Sequence, residues 1–208
     1  MTHELSMDSN ASQPLDRENE IDVALMDRIA RGDVRAFEEL VERHQYPLVG
    51  TISKMLGGGG AVVDAEDIAQ QVFLRIWKSS KRYKPTAKFT TWMFTIMRNL
   101  VFNETRRRGR RKEVSSDERS ELYQLEESAG EHLQPDHEAL QAELQEAVDK
   151  AIAELPEKQR IAVVLRRYEI MPYEDIANVL GLSVSAVKSQ LFRARQSLKE
   201  NLSRYLDE

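Results

Sequence analysis

The chain has 208 residues, 41% of them hydrophobic and 31% charged, the composition of a soluble globular protein with one large or two small domains. It contains no cysteine, which excludes disulfides and thiolate metal sites and fits a reducing compartment. No apolar run approaches the ~20 residues of a membrane span, and the polar N-terminus lacks the apolar core of a secretory signal, so a cytoplasmic protein without membrane insertion is expected.

The formal net charge of −5 hides an asymmetry. Residues 113–146 hold eleven acidic side chains and one basic, while the rest of the chain holds 29 basic and 24 acidic. An acidic segment thus separates two halves that each end in a basic stretch, and such a distribution says more about partners than the sum does.

In chain order, residues 1–19 are polar and aperiodic and are expected to be disordered. Helical patterning starts near Ile21 and runs through Val23, Leu25, Met26 and Ile29 to a break at "RGD". A long helix follows over Val34 to Leu56, with Pro47 expected to kink it. The "GGGG" run at 57–60 reads as a flexible helix connection. A phosphate-binding loop would need Gly-Lys-Ser/Thr after its glycines, and "AVVDAED" follows instead.

The next helix is "DAEDIAQQVFLRIWKSSKRY", with Asp64 as candidate N-cap. Ile68, Ala69, Val72, Phe73 and Ile76 define its buried side. Asp67, Gln70, Gln71, Lys78 and Leu74 lie opposite, with Trp77 at the boundary, and apolar anchors edging a polar face suggest a protein partner.

After a short loop, "KPTAK", comes "KFTTWMFTIMRNLVFNETRRRGRRK". Phe89, Met93, Ile96, Met97, Leu100 and Val101 form a broad apolar side. A second stripe joins Trp92, Thr95, Asn99, Asn103 and Arg106 in steps of three and four, and six of the seven residues at 106–112 are basic. Asparagine is a poor helix former, so two of them one turn apart need a reason. Stacking, amide hydrogen bonds and phosphate-seeking charge together are how proteins hold opened bases. A helix packed on both sides with a solvated basic tail would read the same way.

Beyond the acidic segment a helix is expected from 137 to about 155. Pro156 and Pro172 then open two shorter ones in the first-turn position that proline tolerates. The stretch "YEDIANVLGLSVSAVKSQLFRARQSLKE" has the marks of a helix-turn-helix. Ala177 stands where the second helix crosses the first, Gly181 stands in the turn, and Ile176, Leu180, Leu182 and Val187 join the helices. Ser185, Lys188, Ser189, Gln190, Arg193 and Arg195 lie outside the buried side. That mixture of hydroxyl, amide and guanidinium groups suits base edges and phosphates in a major groove. No strand alternation is evident. The expectation is an all-α protein with helical domains at 20–112 and 137–208, the latter a helix-turn-helix, joined by an acidic flexible linker at 113–136.

These segments, in this order, resemble the small bacterial sigma factors of the extracytoplasmic-function group, in the sigma-70 family, over about residues 21–205. The resemblance implies a factor with no catalytic activity of its own that joins core RNA polymerase and confers promoter selectivity. It assigns Asp64, Asp67, Gln70, Gln71, Leu74 and Trp77 to the clamp helices of β′, with the β subunit also a partner. It assigns the loop 84–88, with Lys84 and Lys88, to capture of a flipped base of the melted −10 element. Trp92, Asn99, Asn103, Arg106 and Arg107 then face the strand. Ser185, Lys188, Ser189, Gln190, Phe192, Arg193 and Arg195 would read the −35 element in duplex DNA. Phe192 could equally be buried by its helical spacing. An anti-sigma factor is a further implied partner, and no cofactor or metal is expected.

Two other classes remain to be weighed. A conventional helix-turn-helix regulator would bind an operator as a dimer without polymerase, but the asparagine–arginine stripe and the Leu74–Trp77 edge have no place in it. An enzyme would gather Asp64, Glu66 and Asp67 around magnesium. Three carboxylates opening a helix are more often dipole partners, and no second cluster completes a site.

Overall fold

A computed structural model describes residues 14–57, 62–115 and 137–205. Its α-helices are α1 (Pro14–Ala30), α2 (Val34–Leu56), α3 (Val62–Ser79), α4 (Phe89–Ser115), α5 (His137–Ala153), α6 (Glu157–Arg167), α7 (Tyr173–Leu180) and α8 (Val184–Asn201). Among the described residues there is no strand, as expected of an all-α chain.

The helix boundaries have local causes. Asp33 caps α2, its carboxylate accepting from the Ala36 N–H at 3.1 Å, and the helix continues through the exposed Pro47. It stops at Gly57, whose φ of 89° is left-handed and whose N–H turns back to the last-turn carbonyls. Gly181 ends α7 in the same way, at φ 64°, and Ser183 caps α8 by accepting from the Ala186 N–H at 3.2 Å. Pro156 and Pro172 sit one residue earlier than expected, at the N-cap rather than inside the first turn.

Three expectations need correction. The N-terminal disorder was placed too far along, because α1 already begins at Pro14. Its residues are held from far away in the chain: Asn19 Oδ1 accepts from the Phe89 N–H at 2.8 Å, so α1 supplies the cap that α4 lacks. Asp22, 2% exposed, bonds Arg43 at 3.2 Å and His44 at 2.9 Å on α2. Asp64, second, does not cap α3, which starts two residues earlier at Val62. Third, α4 runs on to Ser115, three residues into the segment 113–136 expected as a flexible linker. The remainder of the expected linker, residues 1–13 and the 58–61 part of the glycine connection all lie outside the described residues.

The core of the first half is built from Leu25, Met26, Leu40, Ile52, Val72, Ile76, Phe89 and Met97, all buried. Burying each such side chain contributes roughly 1.5–3 kcal/mol. Ile161, Leu165, Ile176, Val179 and Val187 form the core of the second half. The two cores are continuous, because α5 and α6 pack on α2 while α7 packs on α4. The halves are therefore docked on one another.

Candidate nucleic-acid interface

The buried side of α3 is the expected one: Ile68, Ala69, Val72, Phe73 and Ile76 are all buried. The six residues assigned to the polymerase separate into two groups. Gln70, Leu74 and Trp77 follow one ridge in steps of four and three. Leu74 is 55% exposed, while Trp77 is half-buried with its ring edge-on to Phe37, the centroids 5.0 Å apart. Beside this ridge, Tyr46 of α2 is 80% exposed and, with Gln70, borders a cavity of about 300 Å³ lined by Val41, Val49 and Phe73.

Asp64, Asp67 and Gln71 face another way. They line a groove of about 340 Å³ between α3 and α4, together with Arg75, Asn103, Glu104 and Arg107. Residues assigned to polymerase and residues assigned to DNA thus share one groove. Asp64 is ion-paired to Arg108 across it, and Glu104 holds both Arg107 at 2.8 Å and Arg108 at 3.3 Å.

On α4, Phe89, Met93, Met97, Leu100 and Val101 are buried as expected, and Ile96 is half-buried. Thr91 and Phe94, outside that set, are buried as well, at 2% and 4% exposure. Thr91 lines a cavity shared with Met171, Pro172 and Asp175, so this flank of the helix meets the second half. Burial lowers the affinity of Arg98 for its proton; its Nε has no hydrogen-bond partner and its guanidinium lies 5.5 Å from the Phe102 ring. Between the two packed flanks, Asn99, Asn103 and Arg106 remain exposed in one row.

Trp92 departs from that row. It is half-buried in an aromatic cluster, 4.8 Å from Tyr83 and 6.0 Å from Phe89, and only part of its ring reaches solvent. Thr95 turns its hydroxyl back to the Thr91 carbonyl at 2.9 Å. Ahead of the helix, the loop after Tyr83 is open to solvent through Lys84 and Ala87, whereas Lys88 is half-buried beside Asp22 and His44.

In the second half, Ser185, Lys188, Ser189, Phe192, Arg193 and Arg195 are all exposed on α8. Phe192 is 63% exposed, which settles the alternative of burial against it. Gln190 is the misfit: it is half-buried and falls beside the buried Val187 and Ala194 rather than among the exposed groups. Lys188 lies 5.8 Å from the Tyr173 ring centroid, so α7 restrains its ammonium. Beneath the turn, Ala177 is buried at 6% exposure and Leu182 N–H closes onto its carbonyl at 3.0 Å.

The seam between the halves was not foreseen. At its centre Arg160, 8% exposed, donates from Nε to the Met55 carbonyl at 2.7 Å and from Nη1 to the carbonyls of Ala153, at 2.6 Å, and Leu155, at 3.1 Å. Thr51 donates its hydroxyl to Glu169, and Lys54 lies 3.5 Å from Asp149. Among the described residues no group of acidic, histidine or cysteine side chains is placed to hold a metal, and no helix is long and apolar enough to cross a membrane.

Comparison with known proteins bears on this geometry. Residues 40–111 match the Sigma-70 region 2 family and residues 145–198 match Sigma-70, region 4. The RNA polymerase sigma-H factor of Pseudomonas aeruginosa is 32% identical over 191 residues, covering 91% of this chain and 97% of that protein. The ECF RNA polymerase sigma-E factor of Escherichia coli K12 is 30% identical over 179 residues, covering 85% and 92%. Among solved structures, CnrH in complex with the cytosolic domain of CnrY superposes with a TM-score of 0.62 at 26% identity, covering 88% of this chain and 98% of that one.

Proposed function

The chain belongs to the extracytoplasmic-function group of sigma-70 factors, non-catalytic subunits of transcription initiation, and from that membership we propose how its surfaces divide the work of promoter recognition. The α8 face of Ser185, Lys188, Ser189, Phe192, Arg193 and Arg195 reads the −35 element as duplex DNA. Asn99, Asn103 and Arg106, with Arg107 beyond them, face the opened strand of the −10 element, and the loop bearing Lys84 receives a displaced base. Gln70, Leu74 and the exposed part of Trp77 meet core polymerase, which supplies the chemistry.

One observation supports this reading above the others. Helix α4 is packed along two flanks, yet two amides and a guanidinium stay exposed in a single row between them. A purely structural helix gains nothing from asparagines there, whereas amide and guanidinium groups in line match bases and phosphates of a single strand. A further element of this reading is an anti-sigma protein that restrains the factor, as in the solved complex of the sigma factor RpoE with the anti-sigma factor NepR from Bartonella quintana, whose sigma factor superposes on this chain with a TM-score of 0.60.

The test is run-off transcription from a promoter library with core polymerase, with and without the protein. New start sites are expected with the wild type. Their loss is expected with Leu74→Glu, which alters an exposed position and leaves the core intact, and with Asn103→Ala. If the protein shifts specific duplex DNA alone and adds no start site, it acts as an operator-binding regulator and the division of labour above is wrong.

A further inference from the structure

Resting on that functional reading, we propose that Asn19 of α1 is a positioning residue for base capture: from seventy positions away it anchors the first turn of α4 and so fixes the loop 84–88 in the shape that receives the displaced base.

The local sequence gives the start of α4 no anchor. Lys88, directly ahead of the helix, carries an ammonium that donates and cannot accept, so the Phe89 N–H has to be met from elsewhere. Asn19 Oδ1 meets it at 2.8 Å. The acceptor stands on a helix that is tied down on either side of it. Its neighbour Glu18 pairs with Arg43 of α2. Asp22, three residues on and 2% exposed, bonds Arg43 at 3.2 Å and His44 at 2.9 Å.

Both ends of the loop converge on the anchored residue. The Tyr83 ring, just ahead of the loop, lies 6.3 Å from that of Phe89 and 4.8 Å from that of Trp92. His44 closes the cluster at 5.3 Å from Phe89, so the α2 residue that bonds Asp22 also packs on the ring of the residue Asn19 holds. Between these fixed ends Lys84, Pro85, Thr86 and Ala87 are exposed, and the Thr86 N–H donates to the Lys84 carbonyl at 2.8 Å. A loop already held in its bound shape gives up little entropy when a ligand enters it, and one with a loose end gives up more. Global stability depends far less on the same bond. Phe89 is fully buried and α4 packs along two flanks, so loss of the Asn19 acceptor is felt in the first turn and the loop rather than in the core.

The experiment is run-off transcription with core polymerase on a series of templates made from one promoter that the wild type uses. Each template carries an abasic site at one non-template position across the −10 element. The template on which wild-type transcription falls most marks the displaced base. On the intact promoter Asn19→Ala should lose roughly fivefold to tenfold. On the marked abasic template it should match the wild type, because the loop then has no base to hold. Asn19→Asp, which keeps an acceptor of the same reach, should stay within about twofold of wild type on the intact promoter. Asn19→Gln, which moves the amide one methylene farther out, should repeat the template-dependent loss at smaller size. Asn19→Ala equal to wild type on the intact promoter would overturn the proposal. So would an equal loss on intact and abasic templates, the mark of a merely structural role, or an Asn19→Asp protein as weak as Asn19→Ala. Each of those results leaves the functional reading standing. A wild type equally active on every abasic template captures no base, and that result would overturn the functional reading of the loop and the proposal with it.

Discussion

Arg160→Ala is the substitution whose consequence the structure allows to be worked out most fully. The side chain is buried and donates to three carbonyls, one at the end of α2, one at the end of α5 and one in the turn that follows it. Hydrogen bonds to a charged group contribute about 1.5–3 kcal/mol each before the cost of burying the charge. That cost is substantial here, since burial lowers the pKa of Arg160 and the charge of Glu157 only partly opposes the effect. Offsetting one against the other leaves a loss of about 2–4 kcal/mol, most of it from the orphaned helix-end carbonyls. For a domain of this size that is a fall in Tm of roughly 5–15 °C. Thermal unfolding followed by far-ultraviolet circular dichroism would measure it. The seam contact adds a second signature, for loss of the bond to Met55 should uncouple the halves and broaden one transition into two. Arg160→Lys, which keeps the charge but not the planar fork, should fall between. An Arg160→Ala protein melting within about 2 °C of wild type, in one sharp step, would refute this account of the seam.

Docking should also depend on pH. Burial holds the Glu169 carboxyl above its usual range, partly opposed by the Thr51 hydroxyl and by His44. Glu18, Asp22, Lys88 and Asp175 line the same cavity. A carboxyl with a raised pKa in the docked form binds its proton more tightly there, so its contribution is complete below the ordinary glutamate range and is lost as pH rises through the raised value. The Tm should fall across that window in wild type and change less in Glu169→Gln. Ile170, with φ 54° and 77% exposure, is a β-branched residue in a left-handed conformation. Ile170→Asn should relieve about 1 kcal/mol of strain and raise Tm by roughly 2–4 °C in the same melting experiment. On DNA, Arg193→Ala should weaken binding to a −35 duplex and lower the salt slope by about one. Gln190→Ala, altering a half-buried side chain, should leave both nearly unchanged when fluorescence anisotropy is measured across a salt series.

The sequence made legible those features that repeat within a few residues. The buried side of α3, the alanine and glycine of the helix-turn-helix, and the exposed amides of α4 all follow from local spacing, and each is found where that spacing puts it. What could not be read depends on residues far apart in the chain. Asn19 caps α4 from seventy positions away, so nothing near Phe89 announced it. Thr91 and Phe94 fell outside the main apolar side of α4, and their burial makes sense only once α7 lies against that helix. Arg160 carries no signal in the sequence, because an arginine that satisfies carbonyls rather than carboxylates leaves no charge pattern to find. Gln190 failed for a subtler reason. A helix face spans a continuous arc, and the amide stands at its edge, where packing rather than residue type decides exposure.

The basic end of α4 shows why a charge count and a charge field differ. In the sequence, 106–112 offers six cations in seven places, yet Arg107 and Arg108 are held by Glu104 and Asp64 in the fold. If those pairs were strong, they would subtract two cations from any DNA-binding surface. They are not strong: the Arg107 and Arg108 side chains are 50% and 29% exposed, and pairs in such positions contribute about 0–1 kcal/mol. A phosphate contact, in contrast, gains from counterion release along the whole nucleic acid. Exchange of carboxylate for phosphate is therefore favourable at low salt and costs little structurally. The pairs serve a different purpose in the free protein. Arg108, bonded to both Asp64 and Glu104, links this stretch of α4 to the start of α3, a bias on the register of Asn103 and Arg106 no larger than such weak pairs supply.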